Sequence, residues 1–66
     1  MIRYNKLFEL LEHQGKTATN WLRQQGMHPS VVNKLRKNET VTTETIDRLC
    51  SLLECQPGDI LEHTET

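Results

Sequence analysis

The stretch Thr17-Ala18-Thr19-Asn20-Trp21-Leu22-Arg23-Gln24-Gln25-Gly26-Met27-His28-Pro29-Ser30-Val31-Val32-Asn33-Lys34-Leu35-Arg36-Lys37 decides how this chain is read. It holds two short helical patterns around one sharp break. Thr17 is a residue type that caps helix starts, Trp21 and Leu22 are the apolar residues of the first pattern, and Gly26 ends it. Pro29 suits the first turn of the second helix, where its missing N–H is not needed. Its ring also pushes His28 out of helical geometry. Val32 and Leu35 are three apart and face a core, while Ser30, Asn33, Lys34, Arg36 and Lys37 occupy the other faces. Two short helices joined by a tight glycine turn form a helix-turn-helix. Gly26 adopts a positive φ without steric penalty, and Met27 is an apolar plug for the angle between the helices.

The flanking segments supply what this unit packs on. Tyr4, Leu7, Phe8, Leu10 and Leu11 share one helical face with Lys6, Glu9 and Glu12 opposite, and Gly15 is the stop. Thr42 is an N-cap, with Val41 and Ile46 placed as a hydrophobic staple. Ile46, Leu49, Cys50 and Leu53 continue at i, i+3, i+4 and i+7. Cys55-Gln56-Pro57-Gly58 breaks that helix, a last short helix follows, and residues 63–66 are expected to fray. Strand signals are poor: there are three aromatics and no Asn-Gly or Asp-Gly hairpin turn. The expected fold is all-α, a compact five-helix bundle forming one domain over 1–66, with helices at 4–14, 18–25, 29–37, 43–54 and 57–62.

Sixty-six residues bury only roughly 60% of their unfolded surface, so the core is thin. No apolar run of about 18 residues exists to span a membrane. The opening Met1-Ile2-Arg3-Tyr4-Asn5-Lys6 lacks the apolar stretch of a secretion signal, so a cytoplasmic protein is expected, with Cys50 and Cys55 as free thiols. The net charge of −1 hides a strong segregation. Residues 13–38 carry Lys16, Arg23, Lys34, Arg36 and Lys37 with no acid, net +5. Residues 39–66 set Arg48 against Glu39, Glu44, Asp47, Glu54, Asp59, Glu62 and Glu65, net −6. A basic middle attracts polyanions; an acidic end keeps the molecule soluble or meets a partner.

The chain resembles the Cro/C1-type (XRE) helix-turn-helix regulators, in the branch of small single-domain bacterial and prophage proteins. The resemblance rests on Tyr4 to Leu11, on Gly26-Met27-His28-Pro29-Ser30, on Asn33-Lys34-Leu35-Arg36-Lys37, and most specifically on Leu49 to Glu62. It implies a lambda-repressor-like five-helix bundle, sequence-specific binding of double-stranded DNA, transcription regulation and a homodimer. Three positions depart from the family pattern. Leu22 stands where a small residue is common, Gln25 where an apolar one is, and His28 where Ser or Thr caps the recognition helix.

Residue types then suggest roles. Ser30, Asn33 and Lys34 are expected to face the major groove, with Asn33 suited to adenine and Lys34 to guanine O6/N7. Val31 suits a thymine methyl, and His28 stands where it meets DNA directly. Lys16, Arg23, Arg36 and Lys37 are phosphate contacts, which position without specifying; Thr17 and Thr19 are further phosphate donors. A symmetric pair doubles the base contacts, and Leu52, Ile60 and Leu61 are the expected dimer interface. The first reading is a homodimeric repressor on an inverted-repeat operator. The alternative is a protein-interaction module, antirepressor or antitoxin-like, that keeps the bundle without reading DNA. A metal or redox switch through Cys50 and Cys55 is a third. No Cys-x-x-Cys pair, phosphate loop or catalytic triad spacing occurs, so neither a metal, a cofactor nor an enzyme activity is expected.

Overall fold

The computed structural model describes residues 1–65. Four α-helices make the body: α1 (Asn5–His13), α2 (Ala18–Gln24), α3 (Pro29–Arg36) and α4 (Thr43–Leu53). Each apolar face named from the sequence contributes to one core. Tyr4, Leu7, Leu11, Leu22, Met27, Val32, Leu35, Leu49 and Ile60 are buried, and Phe8, Trp21, Val31, Val41, Ile46 and Cys50 pack around them half-buried. Trp21 thus lies at the margin, and Leu22 takes the fully buried place on α2.

The expected fifth helix over 57–62 is instead a single 3₁₀ turn, Pro57–Asp59. Asp59 caps its start: its carboxylate accepts from the Gln56 N–H at 3.0 Å. The chain then extends. Glu62–His63 (β2) pairs antiparallel with Ile2–Arg3 (β1), with Ile2 opposite His63 and Arg3 opposite Glu62. The all-α reading therefore misses a two-stranded ribbon. The fraying expected for 63–66 does not describe 63–65. The Thr64 N–H donates to the Met1 carbonyl at 2.8 Å, and Arg3 Nε donates to Thr64 Oγ1 at 3.1 Å. Thr66 lies outside the described residues.

Ile60 enters the core between these elements. Its side chain is fully buried, and its carbonyl accepts from the Leu7 N–H at 3.1 Å. Ile60 is consequently an internal residue rather than part of a dimer face.

All four helices end by the same device. Gly15, Gly26, Asn38 and Glu54 adopt left-handed backbone, with φ of 72°, 84°, 58° and 51°. The next N–H returns to the carbonyl five residues back: Lys16 to Leu11, Met27 to Leu22, Glu39 to Lys34 and Cys55 to Cys50, at 2.8–3.2 Å. This is the Schellman turn, which satisfies otherwise orphaned carbonyls. After α2 it also seats Met27 against Leu22, so the plug between the motif helices is a consequence of the cap.

Candidate nucleic-acid interface

The start of α3 is built by His28. Its backbone is extended (φ −63°, ψ 141°), and its Nδ1 accepts from the Ser30 N–H at 3.1 Å. Ser30 Oγ lies 2.8 Å from the same nitrogen. His28 therefore acts as the N-cap its residue type ranks poorly for. An accepting Nδ1 carries no proton, so the neutral ring has its hydrogen on Nε2. Pro29 follows at the first helical position. The Val31 and Val32 N–H groups close the turn on the His28 carbonyl at 3.0 and 3.2 Å.

From this start, side chains sort by the helical period. Val32 and Leu35 are buried. Ser30, Asn33, Lys34 and Lys37 are all exposed, and their i, i+3, i+4, i+7 spacing makes them one continuous outward stripe. Val31 is half-buried on the flank. It borders a shallow cleft shared with Lys34, Thr40, Val41 and Thr45, so its side chain packs toward the start of α4. Lys34 and Lys37 make no hydrogen bond within the protein among the described residues, which leaves both ammonium groups to solvent.

Arg36 is exposed and also engaged within the protein. Its Nε donates to Thr19 Oγ1 at 2.8 Å, and its Nη2 reaches the same oxygen. Its guanidinium also stacks 5.4 Å from the centre of the Phe8 ring. One side chain thus braces α3 against α2 and α1, and the Thr19 hydroxyl is occupied by the same contact. Both residues hold the motif together.

On α2, Thr17 stands at the N-cap with its hydroxyl unused by the cap, and Thr17 and Arg23 are exposed. Lys16 sits with its Nζ 5.7 Å from the Trp21 ring centre and donates to Gln14 Oε1 at 2.9 Å. Lys16, Thr17, Asn20, Trp21 and Gln24 line one shallow, mixed-polarity depression.

Two supports were not legible beforehand. Arg48 on α4 donates through Nη2 to the Gln25 carbonyl at the end of α2, placing a cation at the negative end of that helix. Its being the lone base of the acidic half was the available signal. Asn38 accepts the Tyr4 N–H on its Oδ1 at 2.9 Å, and Tyr4 Oη donates to the Glu39 carbonyl at 2.8 Å. The exit of α3 is thereby pinned to the entry of α1. Of the expected interface residues, Leu52 is 37% exposed and Leu61 half-buried; Leu61 lines an apolar groove with Ile46, Cys50, Cys55 and Pro57. Among the described residues no helix is long and apolar enough to cross a membrane.

Comparison with known proteins agrees with this geometry. Residues 6–65 match the family model of the Cro/C1-type HTH DNA-binding domain. The structure superposes on the crystal structure of the transcriptional regulator VanUg with a TM-score of 0.90 and 32% identity, over 98% of this chain and 87% of that one. A 35-residue segment, 53% of the chain, is 43% identical to part of a proline–tRNA ligase from Cyanothece sp., of which it spans 6%.

Proposed function

Since the chain belongs to the Cro/C1-type helix-turn-helix family of DNA-binding domains, we propose that it is a transcriptional regulator, a repressor that binds an inverted-repeat operator as a homodimer. The observation that carries this reading is the division of α3: Val32 and Leu35 in the core, and Ser30, Asn33, Lys34 and Lys37 aligned outward. A helix that is polar and cationic on its outer stripe fits the major groove. In this reading Ser30, Asn33 and Lys34 approach base edges. Lys37, Arg23, Lys16 and the Thr17 hydroxyl take phosphates, and His28 offers its Nε2–H at the groove entrance. Val31 has less to offer a thymine methyl, since its side chain is turned toward α4.

The dimer follows from energetics. One good bidentate contact discriminates between bases by about 1–3 kcal/mol, and one short helix makes few such contacts. Two copies present two helices to half-sites about 34 Å apart. Of the residues expected at the interface, Leu52 and Leu61 remain at the surface for the contact, and binding to DNA occludes the polymerase.

Selection from random duplexes, followed by titration of the selected site, tests the assignment. Asn33→Ala is expected to relax the choice at one base pair at a cost of about 1–3 kcal/mol. Lys37→Ala is expected to weaken all sequences alike and to reduce the salt slope by about one. If the two variants behave alike, the groove assignment is wrong. If no duplex is retained, the protein-interaction reading, with the acidic half as its docking side, takes its place.

A further inference from the structure

Cys50 and Cys55 are both free and half-buried. On a continuous helix, residues five apart point in different directions. The end of α4 changes this. Glu54 takes left-handed backbone (φ 51°, ψ 52°), and the Cys55 N–H turns back to donate to the Cys50 carbonyl at 3.0 Å. In a Schellman turn the residue after the left-handed one packs against the residue five before it. Those two positions are Cys55 and Cys50. After α2 the equivalent pair is Met27 and Leu22, an ordinary apolar contact; at α4 the same geometry brings two thiols together.

Further observations bear on the pair. Disulfides join Cα atoms about 4.4–6.8 Å apart, a scale compatible with a direct backbone hydrogen bond between the two residues. Both line the same open groove beside Ile46, Pro57 and Leu61, so small molecules reach them. Burial pushes the Cys55 thiol up, with Cys50 and Asp59 beside it adding to the effect, so the attacking thiolate forms mainly at alkaline pH. Among the described residues no group of three or more His, Cys, Asp and Glu is placed to hold a metal ion.

We propose that Cys50 and Cys55 form a redox modification site, a dithiol that closes to an intramolecular disulfide by exchange with a low-molecular-weight disulfide of the glutathione type. One cysteine thiolate attacks the small disulfide, forms a mixed disulfide and releases one small thiol. The second cysteine attacks the protein-bound sulfur, forms the Cys50–Cys55 bond and releases the other. Two protein thiols are oxidised and one small disulfide is reduced to two thiols, which carry the two protons the cysteines gave up. The closed bond locks the cap of α4, the helix from which Arg48 holds the motif turn at Gln25. Disulfides of this kind in a reducing compartment are transient and sensing rather than structural.

Native, fully reduced protein incubated with glutathione disulfide and followed by intact mass tests this without reference to DNA. The expected product is monomeric and has lost two hydrogens, with no titratable thiol left. Its formation is faster at higher pH, because the thiolate is the attacking form. Cys50→Ser and Cys55→Ser should each stop at one glutathione adduct, with helical circular dichroism checking that each is folded. Accumulation of glutathione adducts on the unmodified chain, disulfide-linked dimers, or reaction only after unfolding in urea would overturn the proposal. The mass of the unmodified chain decides the matter even if a serine variant fails to fold.

Discussion

Gly26→Ala places a side chain where the backbone between α2 and α3 has φ of +84°. For an L-residue the left-handed region costs roughly 1–2 kcal/mol. Stiffening of the unfolded chain returns about 0.4–1 kcal/mol of that. The new Cβ also stands 3.2 Å from Arg48 Nη2, so the guanidinium must retreat by a few tenths of an ångström from the Gln25 carbonyl. Loosening that exposed, charge-assisted bond adds about 0.5 kcal/mol. The expected total is about 0.5–2 kcal/mol, or several degrees in Tm, since about 1 kcal/mol moves a domain of this size by roughly 4–8 °C. Gly15→Ala is the internal control. Its φ is +72° with nothing within 4 Å of the added Cβ, so it carries the backbone cost alone. Urea titrations followed by Trp21 fluorescence and by circular dichroism would measure both. The gap between the two variants should disappear in an Arg48→Met background. A Gly26→Ala protein as stable as the unmodified chain, or a gap that survives loss of Arg48, would refute the reasoning.

Four further outcomes are expected. Glu54→Gly relieves a left-handed position occupied by a side chain and should raise stability by up to about 1 kcal/mol; a lower Tm would contradict the C-cap assignment. His28→Ala should lose about 0.5–2 kcal/mol with the cap it makes to Ser30, and His28→Asn should restore it. If His28→Asn also keeps full affinity for the selected duplex, His28 is a cap alone and its Nε2–H touches nothing. Ile60→Ala should cost about 2–5 kcal/mol as a core truncation. Leu52→Ser should leave urea stability of the monomer within about 0.5 kcal/mol and weaken self-association in sedimentation; equal stability losses would mean that Leu52 is not free.

The helix-turn-helix was legible because local chemistry and packing agree there. Gly26, Pro29 and the Val32–Leu35 pair each favour the same break and the same buried face. Thr42, with its hydroxyl accepting from the Thr45 N–H at 3.2 Å, is likewise a purely local signal. What stayed hidden depends on contacts between distant residues. The β1–β2 ribbon pairs residues 2–3 with 62–63, and neither two-residue strand carries a pattern long enough to show alternation. Glu54 ends α4 in a conformation that glycine or asparagine usually announces, so the helix read as one residue longer. Ile60 read as spare apolar surface because its partners, Leu7 above all, lie at the other end of the chain. The bracing contacts of Arg36 with Thr19 and Phe8 were hidden as well, because charge alone does not reveal them.

The central claim is that the outer stripe of α3 enters the major groove, and dimethyl sulfate footprinting on a selected duplex tests it in one reaction. The reagent methylates guanine N7, which lies in the major groove, and adenine N3, which lies in the minor groove. Bound protein should shield guanine N7 in two patches about one helical turn apart and leave adenine N3 reactive, with the shielding lost in Asn33→Ala, Lys34→Ala double variants. Protection of adenine N3 alone, or guanine N7 protection that survives those changes, would contradict the account.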